Sequence, residues 1–137
     1  MSDDLITPEN VSKELLYSVL DAAMMDVSYD KDGDIRVKEG VICFVLPNEE
    51  NKDRIKFLTI FGLKPGVSEL ERLRAVNQMN DGYIMVRACT PKEDVLVFDY
   101  FLTLGGGVTK KAFVMALKRF CGIPHACIRD YGSNIVS

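Results

Sequence analysis

Apolar positions recur along the chain first at helical spacing and then at strand spacing. Val11, Leu15, Leu16, Val19, Leu20, Ala23 and Met24 fall on one broad face of a helix. Thr7-Pro8-Glu9 offers a capping hydroxyl, a first-turn proline and an acid, so the predicted helix spans Pro8–Met25. From Val27 the period shortens to two. Val27–Tyr29 and Asp34–Lys38 read as strands around the turn Asp30-Lys31-Asp32-Gly33, with Ile35 and Val37 on one face. Val41–Leu46 and Arg54–Phe61 read as longer strands separated by a polar loop.

Val67 or Ser68 leads into a second helix, Glu69–Asn80, whose first turn carries Glu69 and Glu71, where the helix dipole favours acids. Leu70, Leu73, Val76, Asn77 and Asn80 fall on its predicted inward side, and Asn80-Asp81-Gly82 reads as a left-handed end. Tyr83–Thr90 and Val95–Leu102 are expected to pair as an antiparallel hairpin. After Gly105-Gly106-Gly107, the helix Thr109–Phe120 turns Phe113, Ala116, Leu117, Phe120 and Cys121 inward and stops at Gly122. The order α-β-β-β-β-α-β-β-α has no βαβ alternation, which predicts an α+β fold, a mainly antiparallel sheet with helices packed on it. The 137 residues suit a single domain, with a core over about residues 8–121 and an irregular C-terminal tail over 122–137.

Strands Val41–Leu46, Arg54–Phe61 and Val95–Leu102 are apolar on both faces. On the last of them Leu96, Phe98, Tyr100 and Leu102 alternate with Val95, Val97 and Phe101. Either three helices and the tail cover both faces of the sheet, or one face stays open as an interaction surface. The second arrangement makes Phe98, Tyr100 and Phe101 candidate partner-binding residues.

Composition narrows the function. With 47% hydrophobic and 27% charged residues the chain resembles an ordinary folded domain. The formal net charge is −3, with basic and acidic residues interspersed, which argues against nucleic acid as a partner. No apolar run is long enough for a membrane span. The first residues are acidic (Asp3, Asp4) and lack a signal-like apolar segment, and no CxxC pairs the four cysteines. The expected setting is the cytoplasm, with reduced thiols.

The candidate chemistry is sparse. Asp30–Asp34 with Glu39 has the acids of a calcium loop, but its glycine comes two positions early and strands flank it. It reads as a β-turn with solvated acids. Cys121, His125 and Cys127 lack the paired spacing of a zinc site, and no orienting acid lies near them to support a Cys/His nucleophile. Gly106 and Gly107, followed by Lys110 and Lys111, could hold an anion at a helix start, although the P-loop grammar is absent. Asn77 and Asn80 are expected to bond backbone or cap their helix, and Asp99 to pair with Arg87 or accept backbone N–H groups. With one histidine and no cofactor fingerprint, the sequence points away from an enzyme and requires no metal or cofactor.

The segment LRAVNQMNDGYIMVRACTPKEDVLVFDYFLTLGGGVTKKAFVMALKRF, with Asn77, Asn80, Asp99 and Gly107-Val108-Thr109, resembles the YbjN family, described as bacterial sensory transduction regulators. The family's fold is similar to that of type III secretion chaperones. The last helix departs from the family's usual acidic start by carrying Lys110 and Lys111. The resemblance implies a regulatory or chaperone-like module that forms a homodimer and binds a protein client. The alternative is a small-molecule or anion sensor built on Gly105–Lys111.

Overall fold

The computed structural model describes residues 4–137. Its elements are β1 (Leu5–Ile6), α1 (Lys13–Ala22), β2 (Asp26–Tyr29), β3 (Ile35–Lys38), β4 (Ile42–Pro47), β5 (Arg54–Gly62), α2 (Glu69–Gly82), β6 (Arg87–Lys92), β7 (Val95–Thr103), β8 (Val108–Thr109), α3 (Lys110–Cys121) and α4 (Pro124–Cys127), followed by a π-helical turn over Ile128–Gly132. Six strands form one antiparallel sheet in the order β2-β3-β4-β5-β7-β6. The α+β class and the strand sequence are those that the periodicity predicts. A further small ribbon pairs β1 with β8, Leu5 opposite Thr109 and Ile6 opposite Val108.

The helices gather on one side of the sheet because only one set of alternating strand residues meets them. Ile35, Val37, Cys43, Val45, Ile55, Phe57, Leu96 and Phe98 are all buried on that side. Phe57 sits at its centre, its ring 6.0 Å from Phe113 and 5.8 Å from Phe120 of α3. Leu16, Val19 and Leu20 of α1 complete the layer.

Four helix expectations are corrected. The first helix begins at Lys13, capped by Ser12, whose Oγ accepts the Leu15 N–H at 3.0 Å. Thr7 fails as the cap because Asn10 closes a local turn on it. The Thr7 N–H donates to Asn10 Oδ1 at 2.8 Å, and the Asn10 N–H returns to Thr7 Oγ1 at 3.3 Å. At the other end Met24 turns left-handed at φ 62°, two residues beyond the last helical residue.

On α2 the buried residues are Ala75 and Met79, with Val76 packed on the core as expected, while Leu70 and Leu73 are 57% and 51% exposed. The helix has two apolar stripes, and the narrower one fits against the C-terminal segment. A capping box of Ser68 and Glu71 opens α2. Its end is not left-handed at Gly82, which stays helical; the chain reverses instead at Met85, with φ 59°. That displaces β6 to Arg87–Lys92, and only Glu93-Asp94 remain as the hairpin turn.

The C-terminal segment is ordered structure rather than an irregular tail. Cys127 and Ile135 are buried. The Lys64 N–H donates to Ile135 O at 2.7 Å, the Ser137 N–H donates to Gly62 O at 3.1 Å, and Val136 bridges to Leu63. Gly132 lets the π-helical turn approach α2 so closely that a Cβ there would lie 2.7 Å from Met79 Cε. The Tyr83 hydroxyl donates to Asp130, and this bond, with Arg129 beside it, holds the Asp130 carboxyl below its usual range.

Candidate functional site: the open face of the sheet

Strand alternation that buries one set of residues leaves the other set on a face that no helix covers. On β5, Ile55, Phe57 and Thr59 are buried, while Arg54, Lys56, Leu58 and Ile60 lie on the opposite side. Register carries this face across the sheet. Phe44 stands opposite Leu58, Leu58 opposite Asp99, and Asp99 opposite Arg87. Beside that row Ile60 faces Val97, and Lys56 faces Phe101. Ile60 is 50% exposed and Phe101 38%, with Ile42 also exposed. Isolated exposed apolar residues are common, but here Ile60 adjoins Val97 and Leu58, and Leu58 adjoins Phe44, which makes a patch with Phe101 at its far margin.

Phe101 is held rather than loose. Lys56 Nζ and the Arg87 guanidinium each lie 5.5 Å from its ring centre, within cation–π range. Both cations lean toward Asp99, which is only 2% exposed. Arg87 donates to it through Nε at 2.9 Å and a terminal nitrogen at 2.8 Å, with Lys56 Nζ at 3.8 Å. A fork of this kind fixes direction as well as charge. Asp99 thus draws the two cations together over the aromatic ring. Phe101 also borders two depressions, of about 660 Å³ toward the loop after β4 and about 290 Å³ toward Met85 and Val86.

The other sequence candidates fall elsewhere. Phe98 is 0% exposed and Tyr100 lies on the helix-covered side, near Phe57. Of the three aromatics expected on a partner surface, only Phe101 is on the open face. Asn77 is exposed on α2. It is Asn80 that reaches the neighbouring strand, donating to Ala88 O at 3.0 Å and accepting the Ala88 N–H at 2.7 Å. Its amide therefore ties α2 to β6 rather than capping the helix.

Gly106 and Gly107 adopt φ 81° and 85°, and the Gly107 N–H is already given to Leu104 O at 2.9 Å. Lys110 and Lys111 border a groove of about 400 Å³ between α1 and α3, with Val19, Ala22 and Val114 in its lining. Cys121, His125 and Cys127 do not converge. His125 Nε2 bonds Gly40 O at 3.0 Å and its ring packs on Phe61, while both thiols are buried. Among the described residues no cluster of three metal-ligating side chains occurs, and no helix is long and apolar enough to cross a membrane.

The sequence pattern of YbjN, described as "Putative bacterial sensory transduction regulator", matches residues 12–128. The chain belongs to the YbjN family. The fold of this YbjN-family chain is similar to that of YbjN from E. coli, whose crystal structure is described as that of "a putative transcription regulator". The TM-score is 0.74 at 13% identity, covering 93% of this chain and 96% of that one. It is also similar to the Yersinia pestis type III secretion chaperone SycH, solved in complex with a stable fragment of YscM2. There the TM-score is 0.53 at 12% identity, over 85% of this chain and 97% of the other. No curated protein matches the sequence.

The thiols of this YbjN-family chain have a measurable consequence. Burial, with help from Asp130, pushes the Cys127 thiol up to about 11, and the neighbouring Cys121 thiol, with burial, pushes Cys43 far up. At pH 8 only about one Cys127 in a thousand is thiolate, and thiolate is the reactive form. A thiol reagent such as DTNB is therefore expected to label half-buried Cys89 first. Cys43, Cys121 and Cys127 are expected to react only on unfolding. Fast labelling of Cys121 in the native protein would instead revive a reactive-thiol role there.

Proposed function

We propose that this chain is a non-enzymatic protein-binding module, regulatory or chaperone-like, that docks a partner protein on the open face of its sheet. The observation that carries this reading is the apolar run of Phe44, Leu58, Ile60 and Val97, with Ile60 half exposed and Phe101 exposed beyond the Leu58–Asp99 row, on a face without a covering layer. Burying such a patch against a partner supplies the apolar centre of an interface. The ion-paired clamp on Phe101 supports the same reading, because a pre-set aromatic loses little rotamer freedom on binding. SycH, which shares the fold, is seen with a protein fragment. The four free, mostly buried thiols suit the cytoplasm.

Ile60→Asp and Phe101→Asp test the docking face. Both positions are partly exposed, so each variant is expected to keep its circular dichroism spectrum and nearly all of its stability. Each should weaken binding of a co-purified partner by roughly 30-fold or more, the scale of an interface hot spot. A variant that binds normally would move the docking surface elsewhere, and one that unfolds would return that residue to the core. Light scattering over a dilution series of the same samples reads the homodimer that family membership suggests. If the dimer persists in both variants, the pairing of two copies uses another surface.

A further inference from the structure

The open face has a sign. Arg36 and Lys38 of β3, Arg54 and Lys56 of β5 and Arg87 of β6 all lie on it, opposite the buried strand residues. Asp26 and Asp99 are the carboxylates that its strands contribute, and Asp34, Glu49 and Glu50 border the depression at its Lys56 end. Asp99 is consumed by Arg87, and Arg54 is paired with Asp53 at 2.7 Å. Among the described residues no carboxylate pairs with Arg36 or Lys38. The strands of this face thus present more cations than carboxylates, with Arg36 and Lys38 unpaired, although the formal charge of the chain is −3.

Register interleaves these cations with the apolar patch. Lys38 stands opposite Ile42, Arg36 opposite Phe44, and Lys56 between Leu46 and Phe101. Cross-strand neighbours of this kind are about 5 Å apart at Cβ, so one ligand side chain in the patch has a cation within reach of the next.

We propose that the occupant of this face is an acidic amphipathic segment of a partner protein. Its apolar side chains seat on Phe44, Leu58 and Ile60, and its carboxylates meet Arg36, Lys38 and Lys56. This rests on the docking reading above and adds the partner's chemistry to it. Burying the patch under a neutral or basic segment would leave desolvated cations without partners, which is costly. A second copy presenting the same face would set like charges against one another. Nucleic acid would satisfy the cations, but single strands are held by stacking on aromatic platforms. The aromatics of this face, Phe44 and Phe101, stand on β4 and β7 with aliphatic Leu58 and Ile60 of β5 between them, and Phe101 is already covered by Lys56 and Arg87.

The test uses two labelled amphipathic peptides with the same leucine stripe, one flanked by glutamates and one by lysines, titrated against the full chain by fluorescence anisotropy. The glutamate peptide is expected to bind at least tenfold tighter at low ionic strength, with the preference shrinking as salt rises, as screened charge pairs must. Arg36→Glu with Lys38→Glu should invert the preference, and Arg36→Gln with Lys38→Gln should abolish it without touching the fold. If both peptides bind alike and Ile60→Asp removes both, the docking face stands and the acidic assignment is overturned. If neither binds, docking and assignment fall together. Tighter binding of a single-stranded oligonucleotide than of the glutamate peptide would overturn the proposal in favour of nucleic acid.

Discussion

Replacing Phe57 with alanine is expected to cost about 3–5 kcal/mol of folding stability, the usual range for emptying a buried phenylalanine site. The ring is fully buried and contacts both ends of α3 through Phe113 and Phe120, with Tyr100 at 6.1 Å on the adjacent strand. Three aromatic neighbours in one layer cannot collapse into the gap without shifting the helix against the sheet. Domains of this size are stable by only about 5–15 kcal/mol, so the loss is a large share of the total. In urea, with a slope of about 1–3 kcal/mol per molar, the midpoint followed by circular dichroism should fall by roughly 2 M. A fall equivalent to less than about 1 kcal/mol would show that the aromatic layer is not the centre of the core. Ile60→Asp, three residues along the same strand but on the other face, is the built-in control and should barely move the midpoint.

Deleting residues 123–137 is expected to have an effect at least as large. The segment contributes buried Cys127 and Ile135 and covers Leu63 and Met79. Full burial of a large apolar side chain is worth about 1.5–3 kcal/mol, and here several lose it at once. The backbone bonds to Gly62 and Lys64 at the end of the central strand β5 go with them. The truncated chain should show no cooperative urea transition, or one lowered by more than 2 M. Ile135→Ala, at about 2–4 kcal/mol, is the graded version and should remain folded. An unchanged midpoint after truncation would mean that the segment only rests on the surface. The Tyr83–Asp130 contact gives a finer readout. Because it holds the Asp130 carboxyl below its usual range, its contribution is present above the carboxyl's unfolded pKa, about 3.9, and is lost as pH falls through the lower folded value.

The residues that announce themselves locally are the ones the sequence makes legible. Thr109, Phe113 to Cys121 and Gly122 bound α3 by capping and periodicity, and the hairpin of β6 and β7 follows from two apolar runs joined by a short polar link. The two-sided apolar strands also say that one face of the sheet lacks an obvious cover. What alternation cannot say is which face the helices choose. Phe98 and Phe101 sit on opposite sides of one strand and look equally exposed in sequence. Arg36, Lys38 and Ile60 escape notice for the same reason. Their shared face exists only once β3, β4 and β5 are in register.

Competition between local signals hides the rest. Thr7-Pro8 has a good capping composition, yet Asn10 offers its backbone a closer partner. The leucines of α2 outweigh Ala75 and Met79 in hydrophobicity, but the site they would fill is already closed by Gly132 and its neighbours. A short segment with one proline and two glycines reads as loose until its partners 69 and 75 residues away are known.

The amide of Asn80 has a wider consequence. By taking both the N–H and the carbonyl of Ala88, it stands where an incoming strand would hydrogen-bond to β6. On the opposite margin the Tyr17 hydroxyl reaches the carbonyl of Val27 on β2 at 3.3 Å. Each lateral rim of the sheet is thus occupied by a side chain from a helix, the kind of guard that stops sheets from growing by addition. A partner of the kind proposed would therefore lie broadside across the six strands instead of joining them as a seventh.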